Sequence, residues 1–586
     1  MQSSSSTASH FDFESFNEPA SSSQRFKQSS NKRKQSTMSK ETGRKRLSRS
    51  SQDSFTSDDE SKLSNKLAHS SKPGNRAEKN RSSKKRRKGN DLAKNTSGKN
   101  DSGELVSGGS ENKMQVAVYK HFPTNSKPNY SDALNLTPLT GSIEEGQKLF
   151  GVLIKPIPVS TFMDKYWEQK PIRIQRRFSD YYKDLISTEI IDKMLRENHV
   201  EFTKNIDITQ YKDGVRETLN PVGRAMPPCV WHYYGEGNSI RILNPQTFLP
   251  AIHSLNATLQ EYFQCMIGAN VYLTPKNSQG FAPHYDDIEA FVLQVEGKKR
   301  WRLYKPKNRS SMLPRESSKN FKQEEIGEPC LDVVLEAGDL LYFPRGYIHQ
   351  ALTLKDYHSL HITVSAYQKQ TFGDLLETLI PMALKEAINE NEILRRGLPL
   401  NIWQRLGVVN SDNYLPEREA IIKSIMKCFD KVCSYVRTDT NLDNAVDQMA
   451  LRYQHDALPP KLTPDEELRS VYSSKAMVTP SGQVESPYIE CHTKIRLIRA
   501  NILRMVRHED EIRVYYSSEN SKEYHGFEEN FLDIDPTDAP AVEVLIKAYP
   551  TFITPDQLQL EDDDHNLSVA QDLWEKGMLM TEAPLL

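Results

Sequence analysis

Apolar positions are spread unevenly along the 586 residues. The first hundred contain no Val, Ile, Tyr, Trp or Cys. Their Ser-, Asn-, Lys- and Arg-rich composition offers too little apolar surface to offset the entropy of ordering a chain. Residues 1–115 are therefore expected to form a disordered basic tail. Folding is expected to begin near Gly141, where SIEEGQKLFGVLI sets Ile143, Leu149, Val152 and Leu153 at near-helical spacing. TEIIDKMLREN, from Thr188, and TFLPAIHSLNATLQEYFQCMI read as further helices, followed by a strand-rich block over 270–367. After Gln368 the helical period returns in TFGDLLETLIPMALKEAI, REAIIKSIMKCFDKVCSYV and LDNAVDQMALRY. The polar stretch 473–487 reads as a linker. Beyond it, IECHTKIRLIRANIL and DEIRVYYSS suggest strands, and APAVEVLIKAY and LSVAQDLWEKG suggest helices. The chain thus divides into a tail, a mixed domain (140–370), a helical region (371–472) and a small α+β domain (473–586).

Charge sharpens this division. The formal net charge is -1, yet residues 1–100 hold 23 Lys+Arg against 10 Asp+Glu, which leaves an excess of 14 acidic groups on the rest. Three basic clusters, 32–34, 44–46 and 84–88, suit nuclear import and can neutralise nucleic-acid phosphates. From Val471 onward, 10 Lys+Arg face 21 Asp+Glu, a balance that opposes phosphate contact and predicts a protein-contact module there. Nucleic-acid binding is thus expected of the tail at most, not of the folded body. The six cysteines lack CxxC spacing, which argues against a disulfide framework and a zinc ribbon and for a reducing compartment. Cys428 and Cys433 are expected in a helical core. No signal-peptide pattern or membrane-length apolar run is present, so no membrane partner is expected.

The chemistry concentrates in GFAPHYDDIEAFVLQVEGKKRWRLYKP and YFPRGYIHQALTL. His284 and Asp286 lie two apart in a predicted strand, so both side chains leave one face while Tyr285 leaves the other. His349, on a later strand, can be brought beside them. Two imidazoles and one carboxylate can occupy one face of an octahedral metal and leave three positions open, as oxygen chemistry requires; a structural zinc site would be closed by a fourth ligand. Each residue alone has an ordinary reading: a turn histidine, an Asx-turn aspartate, a core histidine. Lys299 shares its face with Trp301 and Leu303, and a lysine on that inner face is costly without an anion such as a dicarboxylate. A snorkelling surface lysine is the alternative. Ser365 shares parity with Thr363, and Asn270 and Tyr272 alternate with Val271 and Leu273, so polar strand faces can line the same cavity.

Taken together, HYDD, FVLQVEGKKRWRLY, GDLLYFPRGYIHQA and ITVSAYQ resemble the JmjC-type ribosomal oxygenases. The resemblance runs from about Gly141 to the C-terminus. It implies an α+β architecture: a double-stranded β-helix (cupin-like JmjC) catalytic domain, a helical dimerisation region and a C-terminal winged-helix-like domain. It also implies Fe(II) bound by His284, Asp286 and His349, and 2-oxoglutarate consumed with O2 and held at its distal carboxylate by Lys299. Tyr272, Asn270 and Ser365 match pocket positions. The implied activity is histone lysine demethylation and/or ribosomal-protein histidyl hydroxylation, on basic substrates such as histone tails and ribosomal proteins. A homodimer located in the nucleus, in nucleolus and nucleoplasm, with roles in chromatin regulation, transcriptional repression and ribosome biogenesis, is the corresponding expectation. A non-catalytic cupin-like scaffold, indifferent to loss of His284, is the competing reading. A metal-dependent isomerase or hydrolase that needs no oxygen is a third.

Overall fold

The computed structural model describes the backbone of Ala117–Lys120 and residues 141–585, apart from 177, 368, 413, 474, 509–510 and 524–527; of Glu485 it describes the backbone alone. The expected basic tail lies outside the described residues. Among the described residues, ten strands of the mixed domain and one short strand that precedes it join in one sheet. They are β1 (Ala117–Lys120), β2 (Ile172–Gln175), β3 (Ile206–Lys212), β4 (Val215–Thr218), β5 (Ser239–Leu243) and β6 (Ile267–Thr274), then β7 (Ile288–Tyr304), β8 (Leu331–Glu336), β9 (Leu340–Phe343), β10 (Ile348–Thr353) and β11 (Ser359–Tyr367). Nine follow the order β1-β2-β9-β7-β11-β6-β5-β3-β4, with β8 and β10 also paired to β7.

The 17-residue β7 belongs to both walls of this barrel-like arrangement. Its first half pairs with β9 and β11, and its second half, from Lys298 on, pairs with β8 and β10. Gly297 sits where the strand passes from one set of partners to the other, at φ 66°, and a Cβ there would lie 1.9 Å from the His358 carbonyl oxygen. Only glycine fits that crossing. Alternation separates the faces of β6: Ile267, Ala269, Val271 and Leu273 are buried in the main core, while Asn270 and Tyr272 face the other way and are half-buried.

Helix α1 (Ser142–Ile154) and helix α2 (Pro250–Phe263) cover the outer side of that sheet; Leu149, Phe150, Leu153, Ile252, Leu255 and Leu259 join its core. Ile143 is exposed rather than packed, because it falls off the buried stripe of α1. The helical region holds α3 (Phe372–Glu390), α4 (Pro416–Val436) and α5 (Asp439–Asp456) as its longest helices. Helix α4 buries none of its residues, so Cys428 and Cys433 are half-exposed and not the core residues its apolar spacing predicts. The C-terminal domain has its own core, including Leu497, Val514, Val542, Leu545, Leu573 and Trp574. The expected linker contains an exposed hairpin, Met477–Val478 against Val484–Glu485. A buried carboxylate, Glu261 on α2, joins the domains: its Oε2 accepts from Ser142 Oγ at 2.7 Å and from Asn501 N at 3.2 Å. Among the described residues no helix is long and apolar enough to cross a membrane.

Candidate metal centre

His284, Asp286 and His349 converge. Their ligand atoms all lie within 4.8 Å of one another, and no other group of three or more such residues is found among the described residues. Each imidazole Nε2 is 3.6 Å from an Asp286 carboxylate oxygen. The far ring nitrogens are fixed by backbone carbonyls: His284 Nδ1 to Ala282 O at 2.8 Å and His349 Nδ1 to Tyr347 O at 3.2 Å. A carbonyl only accepts, so each Nδ1 carries a proton, and each Nε2 is the ring nitrogen turned toward the shared point. Burial, and then the neighbouring His284, lower the His349 pKa to about 4, which keeps that ring neutral. The donor set, its tautomers and the absence of a fourth described donor in the group fit an open, oxygen- and nitrogen-ligated divalent ion.

The backbone carrying the first two ligands differs from expectation. Residues 282–287 form an irregular segment ahead of β7, not a strand. His284 makes one antiparallel bridge, exchanging backbone hydrogen bonds with His349 at 3.3 and 2.8 Å. Pro283 has no N–H to offer a longer ladder, and Ser317 and Ser318 supply hydroxyl partners to Asp287 and Tyr285. Same-side placement survives because the segment stays extended across the bridge: His284 and Asp286 meet, while Tyr285 packs against Phe321.

Behind the triad, aromatic contacts lead to a closed polar end. Trp301 lies 6.2 Å from the His349 ring and 5.4 Å, edge on, from His361. His361 stacks on Tyr272 at 4.9 Å, and Tyr272 meets Phe281, which neighbours His284. At the far end Lys299, buried, donates to Thr274 Oγ1 at 2.9 Å. Burial lowers its pKa to about 7, since no carboxylate accompanies the ammonium. Trp301 Nε1 and His361 Nδ1 are buried with no hydrogen-bond partner among the described residues. A lysine without a counter-ion and two orphaned nitrogens suit a polar, anionic occupant.

Asn270 and Ser365 lie on the same side as Tyr272 and His361: β6 and β11 pair Tyr272 with His361, Asn270 with Thr363 and Gly268 with Ser365. Sequence reasoning missed Thr274 and His361. Both share parity with residues already singled out, Thr274 with Asn270 and Tyr272, and His361 with Thr363 and Ser365. Burial and the nearby Lys299 hold His361 well below its usual pKa, so its ring is neutral between Tyr272 and Trp301.

Residues 241–375 match the JmjC domain family, and residues 458–585 match the C-terminal winged helix domain of ribosomal oxygenase 1. A "bifunctional lysine-specific demethylase and histidyl-hydroxylase NO66" of Drosophila willistoni is 51% identical over 444 residues, 76% of this chain and 58% of that protein. The protein of the same name in Aedes aegypti is 51% identical over 463 residues, covering 79% and 71% respectively. The chain therefore spans less than two thirds of the first relative and somewhat more of the second. Ribosomal oxygenase YcfD of Escherichia coli superposes with a TM-score of 0.41 at 16% identity, over 73% of this chain and 98% of that one, too distant a likeness to transfer any residue.

Proposed function

Because the chain belongs to the JmjC-domain family of bifunctional lysine-specific demethylases and histidyl-hydroxylases, we propose that it is an Fe(II)- and 2-oxoglutarate-dependent protein oxygenase. It would act as a histone lysine demethylase and/or a ribosomal-protein histidyl hydroxylase. The observation that carries this reading is the three-donor set together with a buried lysine: His284, Asp286 and His349 converge, and Lys299 lies buried beside Thr274 on the strand that carries Trp301.

Iron and 2-oxoglutarate supply oxidising power when bound: O2 is consumed, succinate and CO2 leave, and one oxygen atom is delivered to a substrate C–H bond. The chain's own residues hold and orient. His284, Asp286 and His349 would hold the metal through two imidazole nitrogens and one carboxylate. Lys299 receives the distal carboxylate through a charge-assisted hydrogen bond, shared with Thr274. Tyr272, with Asn270 and Ser365 on the same polar strand face, would border the bound cosubstrate, and the buried Trp301 and His361 would keep bulk water from it. On a histidine carbon the hydroxyl is retained; on an N-methyl group the product collapses to formaldehyde and the shortened amine. One site can serve both reactions.

The acidic excess outside the tail favours basic protein segments such as histone tails and ribosomal proteins. The three basic clusters of the tail favour a nuclear and nucleolar location, and the activity would there serve chromatin regulation, repression and ribosome biogenesis. Helix α3 buries Leu379, Ala383 and Ala387 but leaves Leu376, Ile380, Leu384 and Ile388 exposed, which supports a homodimer formed through the helical region. Light scattering at micromolar concentration should return twice the chain mass; a monomer rejects the dimer.

The decisive experiment incubates the purified protein with Fe(II), 2-oxoglutarate, and histone and ribosomal-protein peptides. Mass spectrometry should find a gain of roughly 16 Da or a loss of roughly 14 Da on a peptide, with succinate released, as the cosubstrate's chemistry requires. Absence of both mass changes, with His349→Ala behaving like the wild type, would leave the scaffold reading instead.

A further inference from the structure

We propose that Ser317 and Ser318, on the crossover loop between β7 and β8, are positioning residues that set the geometry of His284 and Asp286 and thereby the affinity of the metal centre. The inference rests on the oxygenase reading above and adds a part of the site that lies outside the barrel strands.

The segment bearing the two ligands is held on one side by the bridge to His349 and by Gly346 N, which donates to Asp286 O at 3.1 Å. On its other side, the loop takes the place of a neighbouring strand. Ser318 N donates to Tyr285 O at 2.9 Å, and Tyr285 N donates to Ser318 Oγ at 2.9 Å. Phe321 N donates to Pro283 O at 2.8 Å. Asp287 N donates to Ser317 Oγ at 3.2 Å, and the same hydroxyl donates to Asp287 Oδ1 at 2.7 Å. The polar backbone groups before, between and after the ligands are therefore satisfied by one loop. Two hydroxyls take part in that pairing. A strand ladder can slip by a residue and keep its hydrogen bonds; side-chain partners at Ser317 and Ser318 tie the register to particular positions.

The loop is itself anchored. Arg315 pairs with Asp374 and Glu377 in the first turns of α3, both at 2.7 Å. Lys369 Nζ donates to the Arg315 carbonyl at 2.7 Å and lies 3.9 Å from Asp287 Oδ2. Asp374 is held in turn by Thr371, which caps the helix. A continuous set of polar contacts thus runs from the start of the helical region to the residues flanking Asp286. Removing the two hydroxyls leaves the Tyr285 and Asp287 N–H groups without their partners and loosens the ligand segment on one side, where the backbone bonds from Ser318 N and Phe321 N remain.

The test titrates Co(II), as a spectroscopic stand-in for Fe(II), into the full-length protein and follows ligand-field absorption. Ser317→Ala/Ser318→Ala should weaken cobalt binding by roughly tenfold, the lower end of the effect of losing partners that orient metal ligands, and should alter the absorption envelope. At saturating metal the KM for 2-oxoglutarate should stay at the wild-type value, because Lys299 is held elsewhere. Ser318→Thr, which keeps a hydroxyl, should recover most of the affinity lost in Ser318→Ala, and Lys319→Ala, exposed on the same loop, should match the wild type. The single Ser318 variants keep the test valid if the double variant does not fold. Wild-type cobalt affinity and spectrum in Ser318→Ala would overturn the proposal while leaving the oxygenase reading intact. Failure of the wild-type protein to bind cobalt would overturn both.

Discussion

The metal-donor end and the lysine end of the candidate site are built on opposite plans. The metal end lies on irregular backbone, with a single bridge between its histidines and an aspartate side chain 34% exposed. The lysine end sits inside a long regular strand, with the charge buried and one hydroxyl for company. A carboxylate that must receive a dication benefits from staying partly solvated, since it needs no other partner until the ion arrives. The lysine is desolvated in advance, so the cost of its burial is already met when a dicarboxylate enters and supplies the missing charge. Wetness at one end and dryness at the other give two sites that should respond to mutation in different ways.

The largest effect is expected at the wet end. Asp286→Ala removes the sole anion of the donor set and should lower metal affinity and succinate release by more than the roughly 10–100-fold that follows loss of an outer partner of a metal ligand. The metal-free protein should melt close to the wild type, since the carboxylate makes no described contact beyond the two histidines. Calorimetry with and without Co(II) separates the two quantities; undiminished turnover would remove the metal end from the mechanism.

At the dry end, Lys299→Met should leave cobalt affinity unchanged and raise the KM for 2-oxoglutarate. A charge-assisted hydrogen bond is worth about 1.5–3 kcal/mol, or roughly ten- to hundredfold at about 1.4 kcal/mol per decade. The pH dependence has a definite sign. Folding lowers the lysine pKa from 10.5 to about 7, so between those values the unfolded chain binds more protons than the folded one, and the contribution of Lys299 to stability rises with pH. Below about pH 7 the full cost of its burial is present in both forms' balance; above 10.5 it has gone. Wild-type protein without 2-oxoglutarate should therefore gain on Lys299→Met in melting temperature as pH rises through that window. Affinity for 2-oxoglutarate should fall over the same range, as the ligand must draw a proton onto the amine. A melting-temperature difference that stays constant with pH contradicts the buried, unpaired lysine.

The contrast also explains what could be read in the sequence. Lys299 was accessible to period-two reasoning because β7 is regular there, and Trp301 and Leu303 are buried beside it as that parity requires. His361 followed the same parity on β11, but a histidine between leucine and isoleucine reads as easily as a core residue. The spacing of His284 and Asp286 led to the right meeting point on the wrong backbone: an extended segment throws alternate side chains to one side whether or not it belongs to a sheet. Ser317 and Ser318 left no local signal. Their partners lie about thirty residues back, and a polar RESSKN stretch has the composition of any surface loop. Helix α4 shows the converse, an apolar spacing that looks like a core and remains exposed in the single chain.

The smallest effect sharpens the comparison most closely, because it moves by one residue along the same strand. Arg300 points to the outer face of β7 and forms a two-pronged pair with Asp332 at 2.6 Å, to which Arg302 adds a contact at 3.3 Å. The Arg300 side chain is 41% exposed, so water already solvates much of its charge, and such pairs contribute about 0–1 kcal/mol. Arg300→Ala should shift the melting temperature slightly, and the shift should shrink further in about 1 M salt, where exposed charges are screened within about 3 Å. Metal affinity and the KM for 2-oxoglutarate should stay at wild-type values. If Arg300→Ala instead raised that KM as Lys299→Met does, the two faces of β7 would not be distinct.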